Sequence, residues 1–262
     1  VIHERRDTLL GGRLPAPNLK TLAGLTNYVE EHGCDIGIAT DGDADRLGVI
    51  DDKAEFLHPN KILVLLYYYL MRYRGWRGAA VRNLATTHLL DRIAEDFGET
   101  CYEVPVGFKY VSAKMVETGA IIGGESSGGL TVRGHIQGKD GIYAAALLVE
   151  AIAKTGRRLS ALWDEITQKY GAAEMAEHDF HFSSAERTRI FKLLMEDKQL
   201  PEFPCEIAKV SYMDGCKVYF KNGGWVIARF SGTEPLLRVF CEMDTMENAE
   251  KIAKILTEFL SL

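Results

Sequence analysis

Between residues 53 and 171, segments with a helical apolar period alternate with short apolar runs bounded by turn residues, and no other feature narrows the possible folds so strongly. Helices are predicted over 60–73, 87–97, 108–117, 140–154 and 159–170, with strands over 78–84, 100–104 and 120–123 between the first four. Gly98 and Gly119 stand where helices commonly end on a left-handed residue. Repeats of this βα kind imply a mostly parallel sheet covered by helices on both faces, because a parallel return needs a long crossover. In such sheets ligands bind beyond the carboxyl ends of the strands, so the loops there are the first place to look for chemistry.

The flanking blocks read differently. Residues 1–52 carry a Gly/Pro-rich loop, a helix over 19–32 closed by Gly33, and strands over 34–39 and 47–50. That is half of an α/β layer, with too few strands to close a sheet. Val1-Ile2-His3 reads as the end of a strand, so the chain is expected to begin within a domain. Residues 172–262 hold a capping-box pair, Ser183 with Glu186, ahead of a helix over 185–195. Strands follow over 207–212, 217–220, 225–230 and 236–242, the second and third joined by the hairpin signal Lys221-Asn222-Gly223-Gly224. Asp244 is the expected cap of a last amphipathic helix over 247–260. The expected architecture is therefore a mixed, mostly parallel α/β/α sandwich plus a C-terminal α+β domain, with blocks at 1–52, 53–171 and 172–262. A chain of 262 residues, 47% apolar, is long enough for such cores.

Charge and cysteine usage exclude several classes. A net charge of −6 offers no general attraction to nucleic acid or acidic lipid. The most apolar run, 62–71, is about half of a bilayer span and reads as a buried helix. Five scattered cysteines with no CxxC pair read as reduced thiols, and with no basic-plus-apolar leader the expected compartment is the cytoplasm.

Asp41-Gly42-Asp43-Ala44-Asp45-Arg46 follows the apolar stretch Ile36-Gly37-Ile38. Three carboxylates at alternate positions repel one another unless a hard divalent cation sits between them. A solvated Asp-Gly turn is the plainer reading. An EF-hand does not fit: counted from Asp41, its sixth and twelfth positions hold Arg46 and Asp52 rather than Gly and Glu. Three carboxylates leave an octahedral ion such as Mg²⁺ in need of oxygens from water or phosphate, and Arg46 beside them suits an anionic ligand.

Further loops carry candidate chemistry. Gly123-Gly124-Glu125-Ser126-Ser127-Gly128-Gly129 pairs open backbone with a carboxylate and hydroxyls, so that Glu125 and Ser127 can bond vicinal sugar hydroxyls; a polar linker to the next helix is the alternative. Arg229-Phe230-Ser231-Gly232-Thr233-Glu234-Pro235 offers a guanidinium, two hydroxyls and amides around Gly232 for a phosphate, or is an ordinary hairpin turn, with Arg238 a less secure addition. Val104-Pro105-Val106-Gly107-Phe108-Lys109-Tyr110 puts a cation at a helix start, where the dipole disfavours it; an anionic ligand or plain solvation accounts for Lys109 there. His135 can reach a ligand or serve as a hydrogen-bonded loop histidine. His178 and His181 lack a third ligand nearby, and Tyr67, Tyr68 and Tyr69 read as packing residues.

Together and in this order, Thr40 to Arg46, Val106 to Tyr110, Gly124 to Gly128 and Arg229 to Pro235 resemble the loops of the α-D-phosphohexomutase family: phosphoglucomutases, phosphomannomutases and phosphoglucosamine mutases. Gly11 to Pro17 and Lys139-Asp140-Gly141-Ile142 are lesser matches. The resemblance implies four domains around a cleft, Mg²⁺ on Asp41, Asp43 and Asp45, sugar recognition by Glu125 and Ser127, and a phosphate grip by Arg229, Ser231, Gly232 and Thr233. It places Lys109 beside the reacting sugar as a possible catalytic group. The implied reaction interconverts hexose 1-phosphate and 6-phosphate through a phosphoserine and a bisphosphorylated sugar. The family's Thr-Ala-Ser-His-Asn-Pro-like phosphoserine segment does not occur in these residues, so the chain alone is expected not to turn over and to need an N-terminal segment as partner. The alternative is a non-catalytic sugar-phosphate-binding or regulatory module. Gly129, where some dual-specificity relatives carry His, favours glucose over mannose phosphates, and Ser126 departs from the Gln typical of the amino-sugar branch.

Overall fold

In the computed structural model the described residues are 1–3, 7–12, 14–232 and 234–262. The chain forms two compact units. One joins Val1–Thr86 with Leu90–Tyr170; the other joins Thr87–Leu89 with Gly171–Leu262.

The first unit begins with α1 (Ala23–His32), which ends at Gly33 in the left-handed conformation. The amides of Gly33 and Cys34 both return to Val29 O. That spends the backbone expected to open a strand at residue 34, and β1 (Gly37–Thr40) starts three residues later. It pairs antiparallel with β2 (Leu47–Ile50), which pairs antiparallel with the two-residue β3 (Phe56–Leu57). The apolar run becomes α2 (Pro59–Arg72), with Ile62, Leu66, Leu70 and Met71 buried. Tyr67, Tyr68 and Tyr69 are buried too and donate to Gly78 O, Glu165 Oε1 and Glu150 Oε1, so they pack as expected.

The alternating segment folds as β4 (Ala80–Asn83), α3 (Leu89–Asp96), β5 (Cys101–Val104), α4 (Phe108–Thr118), β6 (Ile122–Gly124), β7 (Leu130–Val132), α5 (Gly141–Thr155) and α6 (Leu159–Tyr170). The sheet order is β5-β4-β6-β7, with β4 parallel to both neighbours and β7 antiparallel to β6. Val81, Val104, Val111 and Met115 form a buried cluster between this sheet and α4. The Gly-rich loop after β6 therefore returns along the sheet as β7 instead of running straight to a helix. Three residues with no flanking alternation give no periodic signal, which is why the sequence does not announce this strand.

The second unit is a five-stranded antiparallel sheet, β8-β12-β11-β10-β9, made of β8 (Glu174–His181), β9 (Ile207–Ser211), β10 (Cys216–Phe220), β11 (Trp225–Phe230) and β12 (Leu236–Met243). α7 (Ser184–Phe191) carries the expected capping box between Ser183 and Glu186 and continues into a π-helical turn, Lys192–Glu196. α8 (Met246–Phe259) packs Ala249, Ile252, Ala253 and Leu256 into the core with Val218, Val226 and Val239. Its cap is Thr245, whose hydroxyl accepts from Asn248 N, and not Asp244. The helix starts at Met246, so the residue directly before it is the one within reach of that amide. The five cysteines are unpaired, and among the described residues no helix is long and apolar enough to cross a membrane.

Candidate active site

The acidic loop joins β1 to β2 and is fastened from within. Asp41 is buried; its Oδ1 accepts Arg46 N at 3.1 Å and its Oδ2 accepts Arg46 Nε at 2.5 Å. Burial raises the Asp41 carboxyl, but the Arg46 amide and guanidinium outweigh it and hold the group below the usual carboxylate range. Ala44 sits at φ 59, a left-handed conformation that bends the loop between Asp43 and Asp45. Asp41, Asp43 and Asp45 each bring one carboxylate oxygen to within 4.8 Å of the others. Hard anionic oxygens grouped this closely could hold a hard divalent metal ion. Two cations already offset their repulsion: Arg46 Nε also lies 3.6 Å from Asp45 Oδ1, and Lys139 Nζ pairs with Asp45 Oδ2.

The rest of the first unit holds this loop in place. Gly141, at the start of α5, donates its amide to Ala44 O at 2.9 Å, and Leu47 N reaches Gly128 O at 3.4 Å. A side chain at Gly141 would meet Arg46 O at 2.8 Å and Ala44 O at 3.0 Å, so only glycine permits this approach.

Glu125, at the carboxyl end of β6, is buried, and its Oε1 accepts Gly107 N at 2.9 Å and Asn83 Nδ2 at 3.0 Å. Asn83 Oδ1 in turn accepts Ala85 N and Thr86 Oγ1, and Thr86 Oγ1 accepts Ser126 N at 3.1 Å. The loops after β4, β5 and β6 thus meet at one carboxylate, at the sheet end where α/β ligands bind. Asn83 and Thr86 were not singled out from the sequence. Two polar residues at the carboxyl end of a central parallel strand were the available signal. Ser127 is exposed, as is Lys109, whose Nζ lies 4.8 Å from the centre of its neighbour's ring, Tyr110. His135 is already engaged: Nε2 lies 2.8 Å from Asp140 Oδ2 and its ring stacks on Tyr143 at 3.9 Å. Asp140 caps α5, and the Tyr143 amide with His135 holds its carboxyl below the ordinary range.

In the second unit, Arg229 lies at the end of β11 and donates from Nε to Asp214 Oδ2 at 2.9 Å. Arg238 sits directly opposite it on β12 and is itself bonded to Glu234 Oε2 at 3.1 Å. Two like charges across a strand pair repel, so the acids around them and any anionic ligand are favourable there. Ser231 N closes the turn onto Leu236 O, while Gly232 is exposed with no heavy atom within 4 Å of a side chain built on it. Thr233 and Arg13 lie outside the described residues. His178 pairs with Glu250 at 2.8 Å, a surface contact that leaves the histidine pair a structural role.

Three segments match the phosphoglucomutase/phosphomannomutase domain models: α/β/α domain II over residues 2–54, α/β/α domain III over 58–170, and the C-terminal domain over 191–259. A phosphoglucomutase/phosphomannomutase of Thermococcus kodakarensis is 34% identical over 243 residues, 93% of this chain and 51% of that protein. A probable phosphoglucosamine mutase of Pyrococcus furiosus is 32% identical over 91% of this chain and 50% of its own length. In fold, the chain superposes on a phosphoglucomutase/phosphomannomutase family protein of Burkholderia thailandensis with a TM-score of 0.79 at 24% identity, covering 97% of this chain and 53% of that one. The chain belongs to the α-D-phosphohexomutase family. It spans about half the length of the curated relatives it matches.

Proposed function

We propose that these residues form the metal, sugar and phosphate loops of a phosphohexomutase that interconverts hexose 1-phosphate and hexose 6-phosphate, with glucose phosphates favoured. The observation that carries this reading is the convergence of Asp41, Asp43 and Asp45 within 4.8 Å in the same unit as a carboxylate, Glu125, oriented by three sheet-end loops. Asp41, Asp43 and Asp45 would hold Mg²⁺, which when bound supplies charge stabilisation to a transferring phosphoryl group. Glu125 and Ser127 read sugar hydroxyls, with Gly107 and Asn83 fixing the Glu125 carboxylate beforehand. Arg229, Ser231, Gly232 and Thr233 grip the phosphate that is not reacting. Lys109 assists proton transfer at the sugar hydroxyl, and Arg46 and His135 complete the anionic and hydroxyl contacts. Cytoplasmic chemistry on small sugar phosphates suits a chain of net charge −6 that places Arg46, Lys109 and Arg229 in these loops.

The two sugar positions are handled in turn: a phosphoserine gives its phosphoryl group to the free sugar hydroxyl, and after the bisphosphate reorients, the other phosphate returns to the serine. No segment of the 262 residues resembles the phosphoserine loop, so we expect no turnover of glucose 1-phosphate by these residues alone, even with Mg²⁺ and a bisphosphate activator. Adding an N-terminal segment that carries the serine is expected to give turnover in a coupled assay for glucose 6-phosphate. Turnover by residues 1–262 alone that Ser127→Ala or Ser231→Ala abolishes would overturn the assignment of these loops to binding. Binding of hexose phosphate without turnover after complementation would favour the non-catalytic sugar-phosphate module.

A further inference from the structure

The cation at Asp45 comes from outside the acidic loop. Lys139 lies just before α5 and reaches back over the Gly-rich loop to pair Nζ with Asp45 Oδ2. Its route crosses Gly129. A Cβ built at residue 129 would stand 2.1 Å from Lys139 Cδ and 2.8 Å from Cγ, so the lysine stem occupies the space that any side chain at this position would need. The obstruction is a flexible stem: the three heavy atoms nearest to a Cβ at 129 all belong to the Lys139 side chain. The Gly129 carbonyl meanwhile accepts Glu125 N at 3.0 Å, a bond that a side chain there leaves intact.

We propose that Lys139 is, with Arg46, a resident counter-cation of the acidic triad, that it competes with a divalent cation for Asp45, and that the bare Cα of Gly129 is what seats it. The residue at position 129 thereby sets metal affinity through Lys139, although it touches no metal ligand itself. Lys139 is a positioning residue: it acts on the metal through Asp45. The physics is one of charge exchange. With Lys139 seated, the three acids are partly neutralised by Lys139 and Arg46. An entering dication must displace the ammonium from Asp45 Oδ2 or share the carboxylate with it, and both cost affinity. Swinging the stem away removes that cost without altering an acid.

This inference rests on the triad as the metal site, and the test separates the two. Mn²⁺ binding to residues 1–262 is titrated by electron paramagnetic resonance, with Mg²⁺ as competitor, for the wild type and for Lys139→Met, Lys139→Arg, Gly129→Ala, Lys139→Met with Gly129→Ala, and Asp43→Asn. Thermal melts in EDTA verify that each variant is folded. Lys139→Met is expected to tighten Mn²⁺ on the order of tenfold, the scale of one partly screened charge pair. Gly129→Ala is expected to tighten it several-fold, Lys139→Arg to stay near wild type, and the double variant to match Lys139→Met alone, because both changes act on one contact. Asp43→Asn should weaken binding in every background. If the wild type binds Mn²⁺ and neither Lys139→Met nor Gly129→Ala tightens it, the competition is wrong and the triad stands. If Gly129→Ala tightens binding equally with Lys139 absent, the link through the lysine stem is wrong. If no variant binds, or Asp43→Asn leaves binding unchanged, the triad itself is not the metal site and the competition falls with it.

Discussion

The acidic loop of the first unit and the Ser231–Pro235 loop of the second are built on opposite principles. Each is a short connection between antiparallel strands, β1 to β2 in one case and β11 to β12 in the other. The acidic loop is fastened from within by Arg46 and tied to its surroundings by Gly141, Gly128 and Lys139, and its Asp41 is buried. The other loop is closed by its own Ser231–Leu236 bond and displays Gly232 to solvent. Three carboxylates cannot be brought together on a free loop, because their repulsion would open it; the fold must supply counter-charge and backbone support. The hairpin of the second unit has its own like-charge pair, Arg229 opposite Arg238, but each arginine is bonded to an acid, Asp214 or Glu234, so the turn itself needs no outside support. Changes at the first should therefore damage structure and ligand binding together, and changes at the second should damage ligand binding alone.

Gly141→Ala gives the harshest test of that contrast. The new methyl meets backbone oxygens of Arg46 and Ala44, which cannot move away as a flexible side chain can. We expect a loss of about 1–3 kcal/mol of stability, typical of overpacking, together with a large loss of Mn²⁺ affinity. An unchanged melting temperature with intact metal binding would show that the acidic loop is less tightly held than its contacts imply.

Arg229→Ala comes next. Losing a charged hydrogen-bond donor to a phosphate is worth about 1.5–3 kcal/mol, so hexose-phosphate affinity measured by calorimetry should fall roughly ten- to hundredfold. Arg229→Lys keeps the charge but loses the planar fork and should recover only part of it. Melting of the second unit should change little in either variant. If both variants unfold this unit, its arginine is part of the structure after all, and the contrast between the loops fails.

The first unit also carries a hydrogen-bonded carboxylate on α6, Glu165. Burial raises the Glu165 carboxyl, but the hydroxyls of Tyr68 and Tyr73 and the Arg157 guanidinium outweigh it and leave the group below its ordinary 4.5. A carboxylate held down in the folded state stabilises above its unfolded value, and that contribution fades as the pH falls through the folded value. Below about pH 4.5 the first unit should lose stability that Glu165→Gln no longer has to lose, so the variant's pH profile is flatter there. At neutral pH the same variant should be less stable by about 1 kcal/mol. Hydrogen exchange resolves the two units: α6 amides should respond to the substitution and β11 amides should not.

Much of this arrangement was legible because its signals are local. Strands β9 to β12 of the second unit follow apolar alternation, and Asn222-Gly223 marks the turn between β10 and β11, so their bounds fall within a residue or two of expectation; β8 was given no bounds. The Ser183–Glu186 box is a contact between residues three apart and is readable as such. Features created by distant partners were not legible. β3 and β7 are two and three residues long and exist because β2 and β6 offer them a ladder. Asn83 and Thr86 gain meaning only where Glu125 and Ser126 meet them. Lys139 was noted for its neighbours in the sequence, and its contact with Asp45 spans more than ninety residues. The acids of the triad and the adjacent Arg46 could be named from the sequence alone; the lysine that pairs with Asp45 could not.

Gly232→Ala carries the smallest expected effect and bears most directly on the contrast with Gly141. A methyl at Gly232 meets nothing within 4 Å, and no left-handed backbone is required there. Stability should stay within about 0.5 kcal/mol of wild type, as for a surface change that disturbs no feature. If the amides around Gly232 approach a phosphate closely, the methyl limits that approach, and hexose-phosphate affinity should fall several-fold with no change in Mn²⁺ binding. The same chemical change, one added methyl on a loop glycine, would then cost fold and metal at residue 141 and ligand alone at residue 232. Loss of stability at 232 would mean that this loop, too, is packed into its unit. Unchanged phosphate affinity would move the grip to the guanidinium of Arg229 and the hydroxyl of Ser231, leaving Gly232 to do no more than shape the turn.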